Sequence, residues 1–249
     1  MRIKTAVGLA ACLFLVTCTK EKGTTSTTDN FVVGITTDLL TKQYDTVLRG
    51  DYHKRVYLDL DVNDDKHPDF RLTSEVWGSP GLGEHPRSTI IPLNPACELL
   101  GFLKNDTSYL HRSTTTTIGA NNTVSIYNAA VYSCLQIAAN DSITNVQLDQ
   151  FKLISKKKGD QLVKSDFFKS DTCTLMDDRY NYPTLSSTSN DTTVYNATSF
   201  DFTCNSYPGD VISYIGIKIK GAQSEKLGWL KLSISDQYKI SILESAIQK

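Results

Sequence analysis

The feature that most constrains the fold is an alternation of apolar and polar residues with a period of two. It is clearest near the C-terminus, where Ile215, Ile217 and Ile219 alternate with polar or small residues. This pattern is typical of an antiparallel strand that buries one face and exposes the other. Similar runs, rich in Val, Ile, Thr, Tyr and Phe, occur at 31–36, 44–48, 55–62, 69–77, 146–154, 161–168, 194–203, 229–235 and 240–242. We therefore predict an all-β fold, an antiparallel two-sheet β-sandwich resembling a jelly roll.

Composition and the absence of a linker indicate a single folded domain. Hydrophobic residues make up 40% of the chain and charged residues 21%, so the chain can bury a core. No linker interrupts residues 30–249, which we predict to form one β-sandwich domain. Long polar loops are expected at 78–88, 105–123 and 176–193, and no internal repeat is evident.

The N-terminus has the layout of a secretory signal peptide over residues 1–17. Arg2 and Lys4 precede an apolar run that is too short to span a bilayer. The run ends in Leu15-Val16-Thr17-Cys18, which resembles the lipobox of bacterial lipoproteins. That resemblance implies that Cys18 becomes the first mature residue and carries acyl chains such as palmitate. The alternative is an ordinary signal peptide with a chance cysteine.

Residues 18–29 then form the lipidated cysteine and a flexible tether of small polar residues. We expect an outer-membrane protein, held by its lipid anchor and facing the periplasm or the cell surface. The formal net charge of −1 provides no basic footprint, so no nucleic-acid partner is expected.

Four cysteines remain in the mature chain beyond Cys18. An even number in an oxidising compartment indicates two disulfides. The sequence-local pairing joins Cys97 to Cys134 and Cys173 to Cys204, and the two other connectivities stay open. Zinc is disfavoured, because the cysteines include no CxxC pair.

One segment carries metal-binding chemistry. From Asp61 the spacing is D-x-N-x-D-x-x-x-D, which would direct oxygen atoms of a tight loop toward one point, as Ca²⁺ requires. The candidate ligands are the side chains of Asp61, Asn63, Asp65 and Asp69 and the backbone carbonyl of His67. Calcium loops usually carry Gly where this chain has Lys66. The competing interpretation is a polar hairpin turn without metal, and any metal would be structural.

Enzymatic sites are weakly indicated. The chain contains no phosphate-binding loop, HExxH or GxSxG motif, so no catalytic residue is assigned. Trp77 with Glu75 is the candidate platform for a sugar ligand, because Trp77 adjoins a Gly- and Pro-containing loop. A glycosidase would need two carboxylates around the bond, and Glu75 and Glu98 are the candidates.

Two stretches resemble a family of uncharacterised Bacteroidetes lipoproteins. Residues 57–70, with the sequence YLDLDVNDDKHPDF, are similar to its Asp-rich "DLDxNxD" loop. Residues 214–218, 227–232 and 240–246 are similar to its C-terminal "YIG…GW…ILE" stretch. The resemblance implies a lipid-anchored or secreted β-sandwich and transfers no catalytic residue.

The sequence is therefore consistent with two functions. The first is a non-enzymatic envelope lipoprotein, a binding or structural module for a glycan or an envelope protein. The second is a carbohydrate-active enzyme or its accessory carbohydrate-binding module, with Glu75, Glu98 or the acidic loop in the site.

Overall fold

The computed structural model describes residues 30–51, 54–78, 84–177, 179–182, 184–201, 207, 212–222, 224–235 and 239–249. The predicted signal peptide, Cys18 and the tether lie outside these residues, as does Cys204. The described chain is built almost wholly of strands, with a single 3₁₀ turn at Ala120–Asn122. The strands are β1 (Asn30–Val32), β2 (Leu39–Arg49), β3 (Val56–Leu60), β4 (Phe70–Gly78), β5 (Glu84–Pro92), β6 (Cys97–Ile118), β7 (Val124–Ser133), β8 (Ser142–Leu153), β9 (Ser155–Lys156), β10 (Gln161–Val163), β11 (Phe168–Lys169), β12 (Cys173–Asp177), β13 (Arg179–Asn181), β14 (Leu185–Ser189), β15 (Thr192–Asp201), β16 (Ser213–Lys220), β17 (Glu225–Ser235) and β18 (Lys239–Gln248).

The predicted β-sandwich is confirmed. A four-stranded sheet, ordered β12-β5-β4-β3, packs against the β6-β16-β17-β18-β2 part of a larger sheet. The alternating residues Ile215, Ile217 and Ile219 lie in the core between them, as do Leu72 and Ile90 from the smaller sheet. We call this two-layered region the body. Burial of these apolar faces is the main driving force for its formation.

A second, smaller core covers the opposite face of the large sheet. Trp229 and Leu227 on β17 pack there with Leu162 of the two-stranded β1-β10 ribbon. Gly216 lies between them, and a Cβ at that position would come within 2.9 Å of Leu100 and Leu162 side-chain atoms. The close approach of the ribbon therefore requires a residue without a side chain.

The large sheet continues beyond the body. We call this continuation the outer sheet; it comprises the later part of β6 (residues 102–118) with β7, β8, β13, β14 and β15. Residues 112–118 and 142–149 are exposed on both faces of their strands. The outer sheet thus buries little apolar surface and is covered by no second layer over these residues.

Two predictions about connecting segments are wrong. The loop expected at 105–123 is largely strand, since β6 runs without interruption to Ile118. The loop expected at 176–193 contains β13 and β14. The Thr-rich run 114–117 is β-branched and suits an extended backbone. Because both of its faces are exposed, it carries no alternation that could have indicated a strand.

The structure also reveals a short internal repeat that the sequence did not make evident. β7 and β15 pair in parallel and in register, which sets Tyr127 against Tyr195, Asn128 against Asn196 and Ala129 against Ala197. The pairing departs from the otherwise antiparallel arrangement. No helix in the described part of the chain has the length and hydropathy needed to cross a bilayer.

Candidate metal loop and exposed surfaces

The acidic loop connects β3 to β4 and stands at the margin of the body. The two strands pair in antiparallel fashion, and the Asp69 N–H donates to the Leu60 carbonyl at 2.8 Å to close the loop. The segment is therefore a hairpin connection between two neighbouring strands. β2, which forms the edge of the large sheet, brings Lys42 to the loop.

Side-chain oxygens inside the loop accept hydrogen bonds from its backbone. Asp61 accepts from the N–H groups of Asp64 and Lys66, at 2.7 and 3.1 Å. Asn63 accepts from the Asp65 N–H at 3.0 Å, and Asp65 accepts from the His67 N–H at 2.8 Å. These bonds stabilise a compact turn by local side-chain capping of the backbone.

Lys66 adopts a left-handed conformation, with φ of 69°. This is the position at which calcium loops usually carry glycine, and a side chain there costs about 1 kcal/mol or more of backbone strain. Asp64 is also left-handed, with φ of 65°. The loop therefore keeps the tight turn of a calcium loop although glycine is absent.

The predicted ligands come together only in part. The Asn63 amide nitrogen lies 3.0 Å from Asp65 Oδ2 and 3.5 Å from Asp69 Oδ1. The His67 side chain is 86% exposed, with Nδ1 3.1 Å from the Asp65 carbonyl oxygen, and the His67 carbonyl remains the predicted ligand atom. Among the described residues, no group of three or more His, Cys, Asp or Glu side chains converges at metal-binding distance.

A lysine already supplies positive charge to this loop. Lys42 Nζ donates to the Asp61 carbonyl at 2.7 Å and lies 3.2 Å from Asp61 Oδ2 and 3.0 Å from Asp64 Oδ1. Partial burial alone would lower the pKa of Lys42, but the hydrogen bonds with Asp64 and Asp61 hold it above its usual value. The ammonium group therefore stays charged and neutralises part of the acidic cluster.

Asp69 differs from the other acids because it is buried, with 3% of the residue exposed. Burial raises the pKa of its carboxyl above the usual range, against the hydrogen bond that Oδ2 accepts from the Val62 N–H at 2.8 Å. The Cys97 thiol lies 3.5 Å from Asp69 Oδ1. Burial, and then the charge of Asp69, raise the pKa of Cys97 to about 12, so this thiol is held protonated.

The cysteine pairing predicted from sequence is wrong at two of the four residues. Cys97 and Cys173 are both free thiols and both buried. They lie in the hydrophobic core of the body, where a small apolar side chain is favoured and access to a partner thiol is limited. Cys134 is not a free thiol, and Cys204 is outside the described residues.

The predicted platform is only partly described. Glu75 lies on β4 and is bound in a bidentate manner by Arg55, with distances of 2.6 and 3.0 Å. The side chain of Trp77 is outside the described residues. Glu98, the second candidate carboxylate, is buried on β6 between Lys220 Nζ at 2.6 Å and Lys218 Nζ at 3.3 Å. Both glutamates are thus engaged by cations.

The outer sheet presents aromatic and polar groups that sequence reasoning did not select. The rings of Tyr127 and Tyr195 stack at 4.6 Å between centroids, with planes 7° apart. On the opposite face, Asn128 donates to Asn196 Oδ1 at 3.0 Å and accepts from Thr114 at 3.0 Å. The repeated Tyr-Asn-Ala sequence was the signal that could have identified this pair.

Part of the outer sheet, formed by residues 113–133 and 185–200, is almost free of charge, whereas its remainder carries charged residues such as Lys104, Arg112 and Asp149. Residues 113–140 contain no Asp, Glu, Lys, Arg or His, and residues 181–200 contain only Asp191. In a chain with 21% charged residues this is a marked local depletion. An uncharged surface can approach another neutral surface without desolvating ions.

Comparison with known proteins identifies no relative: no protein-family model matches the chain, and neither a curated protein nor a solved structure is detectably similar to it.

Proposed function

We propose that this protein is a lipid-anchored envelope protein that works as a binding or structural module rather than as an enzyme. The observation that carries the proposal is the nearly uncharged part of the outer sheet (residues 113–133 and 185–200), of which residues 113–123 and 185–191 are exposed and which is joined to a well-packed body. Another neutral molecule can cover such a surface without the cost of desolvating ions. The resemblance to Bacteroidetes lipoproteins agrees with this role and remains a prediction.

The ligand favoured by this surface is a protein. Sugar-binding platforms present the face of an aromatic ring, whereas Tyr127 and Tyr195 turn their ring faces toward each other. Exposed β-strand edges and rows of hydroxyl groups suit pairing with a polypeptide. A glycan array with the full mature protein tests this preference, and specific binding to a polysaccharide would favour a glycan ligand instead.

The carbohydrate-active enzyme is the alternative. Glu75 is bound by Arg55 and Glu98 is buried between two lysines, so neither carboxylate is placed to contact a glycosidic bond. A hydrolysis screen over neutral and acidic polysaccharides should therefore show no turnover. Turnover that is lost in Glu75→Gln or Glu98→Gln would overturn the non-enzymatic role.

The lipid anchor is proposed from the sequence at Cys18. A Cys18→Ala variant should leave the membrane fraction and lose the acyl mass of its N-terminal peptide, since several acyl chains are needed for stable anchoring. Cys12→Ala is the matched control, because Cys12 lies in the apolar run of the signal. Equal membrane association of both variants would contradict lipidation at Cys18.

A structural Ca²⁺ in the acidic loop is a further part of the proposal. The left-handed Lys66 and the intraloop hydrogen bonds of Asp61 and Asp65 support it, because they hold the backbone in a turn that calcium loops share. Binding would require Asn63 to rotate its amide oxygen inward and Lys42 to withdraw from Asp61.

Thermal melting with Ca²⁺ against chelator tests this site. We expect Ca²⁺ to raise the Tm, and an Asp61→Ala/Asp65→Ala variant to lose the shift. Asp149→Ala on the outer sheet is the control. Because Asp69 has a raised pKa, the shift should shrink on acidification, when its proton competes with the ion. An equal Tm with Ca²⁺ and with chelator at neutral pH would show that the loop binds no structural Ca²⁺.

One disulfide remains in the proposal. Because Cys97 and Cys173 are free and Cys134 is not, Cys134 pairs by elimination with Cys204 in a mature chain whose Cys18 is lipidated. Peptide mapping without reduction should recover this linked pair. Recovery of Cys97 or Cys173 in a disulfide would contradict it.

A further inference from the structure

The outer sheet ends in a strand whose outer edge is open in the described part of the chain. β14 (Leu185–Ser189) pairs only with β15, and all five of its residues are exposed. Its sequence, Leu-Ser-Ser-Thr-Ser, contains no charge, no proline and no glycine. A row of unpaired backbone N–H and C=O groups on such an edge is a template for another strand.

The other edge strands of the two larger sheets are protected. β2 and β3 carry charged residues, including Asp45 and Asp59, and β12 has a bulge where it pairs with β5. β13 is only three residues long, and β9 and β11 are only two, which leaves little edge to pair. β8 is interrupted by two bulges where it pairs with β6. Charges and bulges are the usual means by which proteins block edge pairing, and β14 has neither.

The chemistry of β14 favours a second copy of this chain as the partner. Its serine and threonine side chains can pair with each other across an antiparallel two-fold axis. The same hydroxyl pairing occurs inside the chain, where Thr188 Oγ1 lies 3.1 Å from Thr193 Oγ1. The adjoining β7 and β15, which share the sequence Tyr-Asn-Ala, already pair in register with these like residues side by side.

Neighbouring features agree with this partner. Leu185 is 72% exposed, and it shares a face of the sheet with Ile118, which is 74% exposed. Because residues 181–200 carry only Asp191, two copies would meet without bringing a row of like charges together. A strongly charged or phosphorylated partner would find no complementary charge on this edge.

We propose that β14 is a homotypic pairing edge, through which two copies join their outer sheets into one continuous sheet. The strands would run antiparallel about a two-fold axis near Ser187, with Leu185 of one copy beside Ser189 of the other. Five residues a side bury less surface than a standard protein interface, so the dimer is expected to be weak. The inference concerns this edge and does not depend on the lipid anchor or on the calcium site.

Cysteine cross-linking of the full mature protein tests the geometry. Residues directly opposite across an antiparallel pair place their Cβ atoms within reach of a disulfide. We would introduce Ser186→Cys, Ser187→Cys and Thr188→Cys singly and oxidise the purified protein; Ser187→Cys places two cysteines opposite each other on the proposed axis, and the other two test an axis shifted by one residue. The native Cys97 and Cys173 are buried with pKa raised to about 12, so they contribute little background.

The matched control is Thr116→Cys. Thr116 is exposed and lies on the same row of the outer sheet as Ser187, but on β6, which is not an edge. This control also corrects for chance encounters within a detergent micelle. At least one β14 variant should form dimers roughly tenfold faster than the control, because pairing raises the effective thiol concentration.

A second substitution distinguishes strand pairing at this edge from a high intrinsic reactivity of the introduced cysteine. Adding Ser186→Lys to Ser187→Cys should reduce dimer formation to the control rate, since lysine on an edge opposes pairing. Rates equal to the control in all three β14 variants would overturn the proposal. So would cross-linking of these cysteines to a different protein in intact cells while the purified chain stays monomeric.

Discussion

The body and the outer sheet are built from the same kind of strand but are stabilised in different ways. In the body, Ile217 and Trp229 are fully buried between layers, and charged residues form ion pairs at the margins. In the outer sheet, neighbouring strands are joined by backbone hydrogen bonds and by rows of stacked or hydrogen-bonded side chains. The first derives its stability from apolar burial, and the second from lateral contacts within one layer.

The largest expected difference between the two regions is in the loss of stability caused by an Ile→Ala substitution in each. Ile217→Ala removes a fully buried side chain from the body and should lower the free energy of unfolding by about 2–5 kcal/mol. Ile118→Ala removes a 74% exposed side chain from the outer sheet and should change it by about 0.5 kcal/mol or less. Urea unfolding followed by circular dichroism measures both. Equal losses would show that the outer sheet has a buried core of its own.

A smaller effect is expected from the tyrosine stack. A double-mutant cycle on Tyr127→Ala and Tyr195→Ala should give a coupling free energy of about 0.5–1.5 kcal/mol, the usual range for an aromatic pair. Tyr127→Ala combined with Ile217→Ala is the control, because Ile217 belongs to the core of the body. Additive behaviour of the tyrosine pair would mean that the stacking contributes no stability.

The smallest expected effect is the pH dependence of the stability that the Asp59–Arg71 ion pair contributes. The hydrogen bond from Arg71 holds the pKa of Asp59 below its usual value, at distances of 2.6 and 2.8 Å. A carboxylate with a lowered folded-state pKa stabilises the protein above its unfolded pKa and loses that contribution as the pH falls through the folded pKa. Because the pair is about one-third exposed, solvent screening limits its value to about 1 kcal/mol or less.

Asp59→Asn should therefore lower the free energy of unfolding at pH 7, and the difference from the parent protein should vanish in acid. Asn145→Ala on the outer sheet provides the comparison, since its effect should not vary over the same pH range. A difference for Asp59→Asn that persists below the folded pKa would show that the ion pair is not its cause.

The sequence predicted the body far better than the outer sheet. Alternation at Ile215, Ile217 and Ile219 correctly located a strand, although this strand is buried on its opposite face as well. The Thr114–Thr117 run has two exposed faces, so its composition resembled a loop although its backbone is extended. Hydrophobic periodicity can identify a strand only where burial selects one of its faces.

At the acidic loop too, the sequence predicted local features but not the contacts made through packing. Its position between two strands followed from local sequence, as did the candidate ligands Asp61 and Asp69. The contact with Lys42 did not, because β2 reaches the loop only through the order of strands in the sheet. Burial of Asp69 and its contact with Cys97 likewise depend on packing that joins distant segments.

β6 belongs to both regions, and its length determines how far the molecule reaches. Its buried first residues are anchored in the body, while the remainder continues unbroken to Ile118. At about 3.3 Å per residue, the segment from Asn105 to Ile118 spans roughly 45 Å. The turn at Gly119 therefore lies at the far end of this strand, so a contact made there would join the body to a neighbour across the length of the outer sheet.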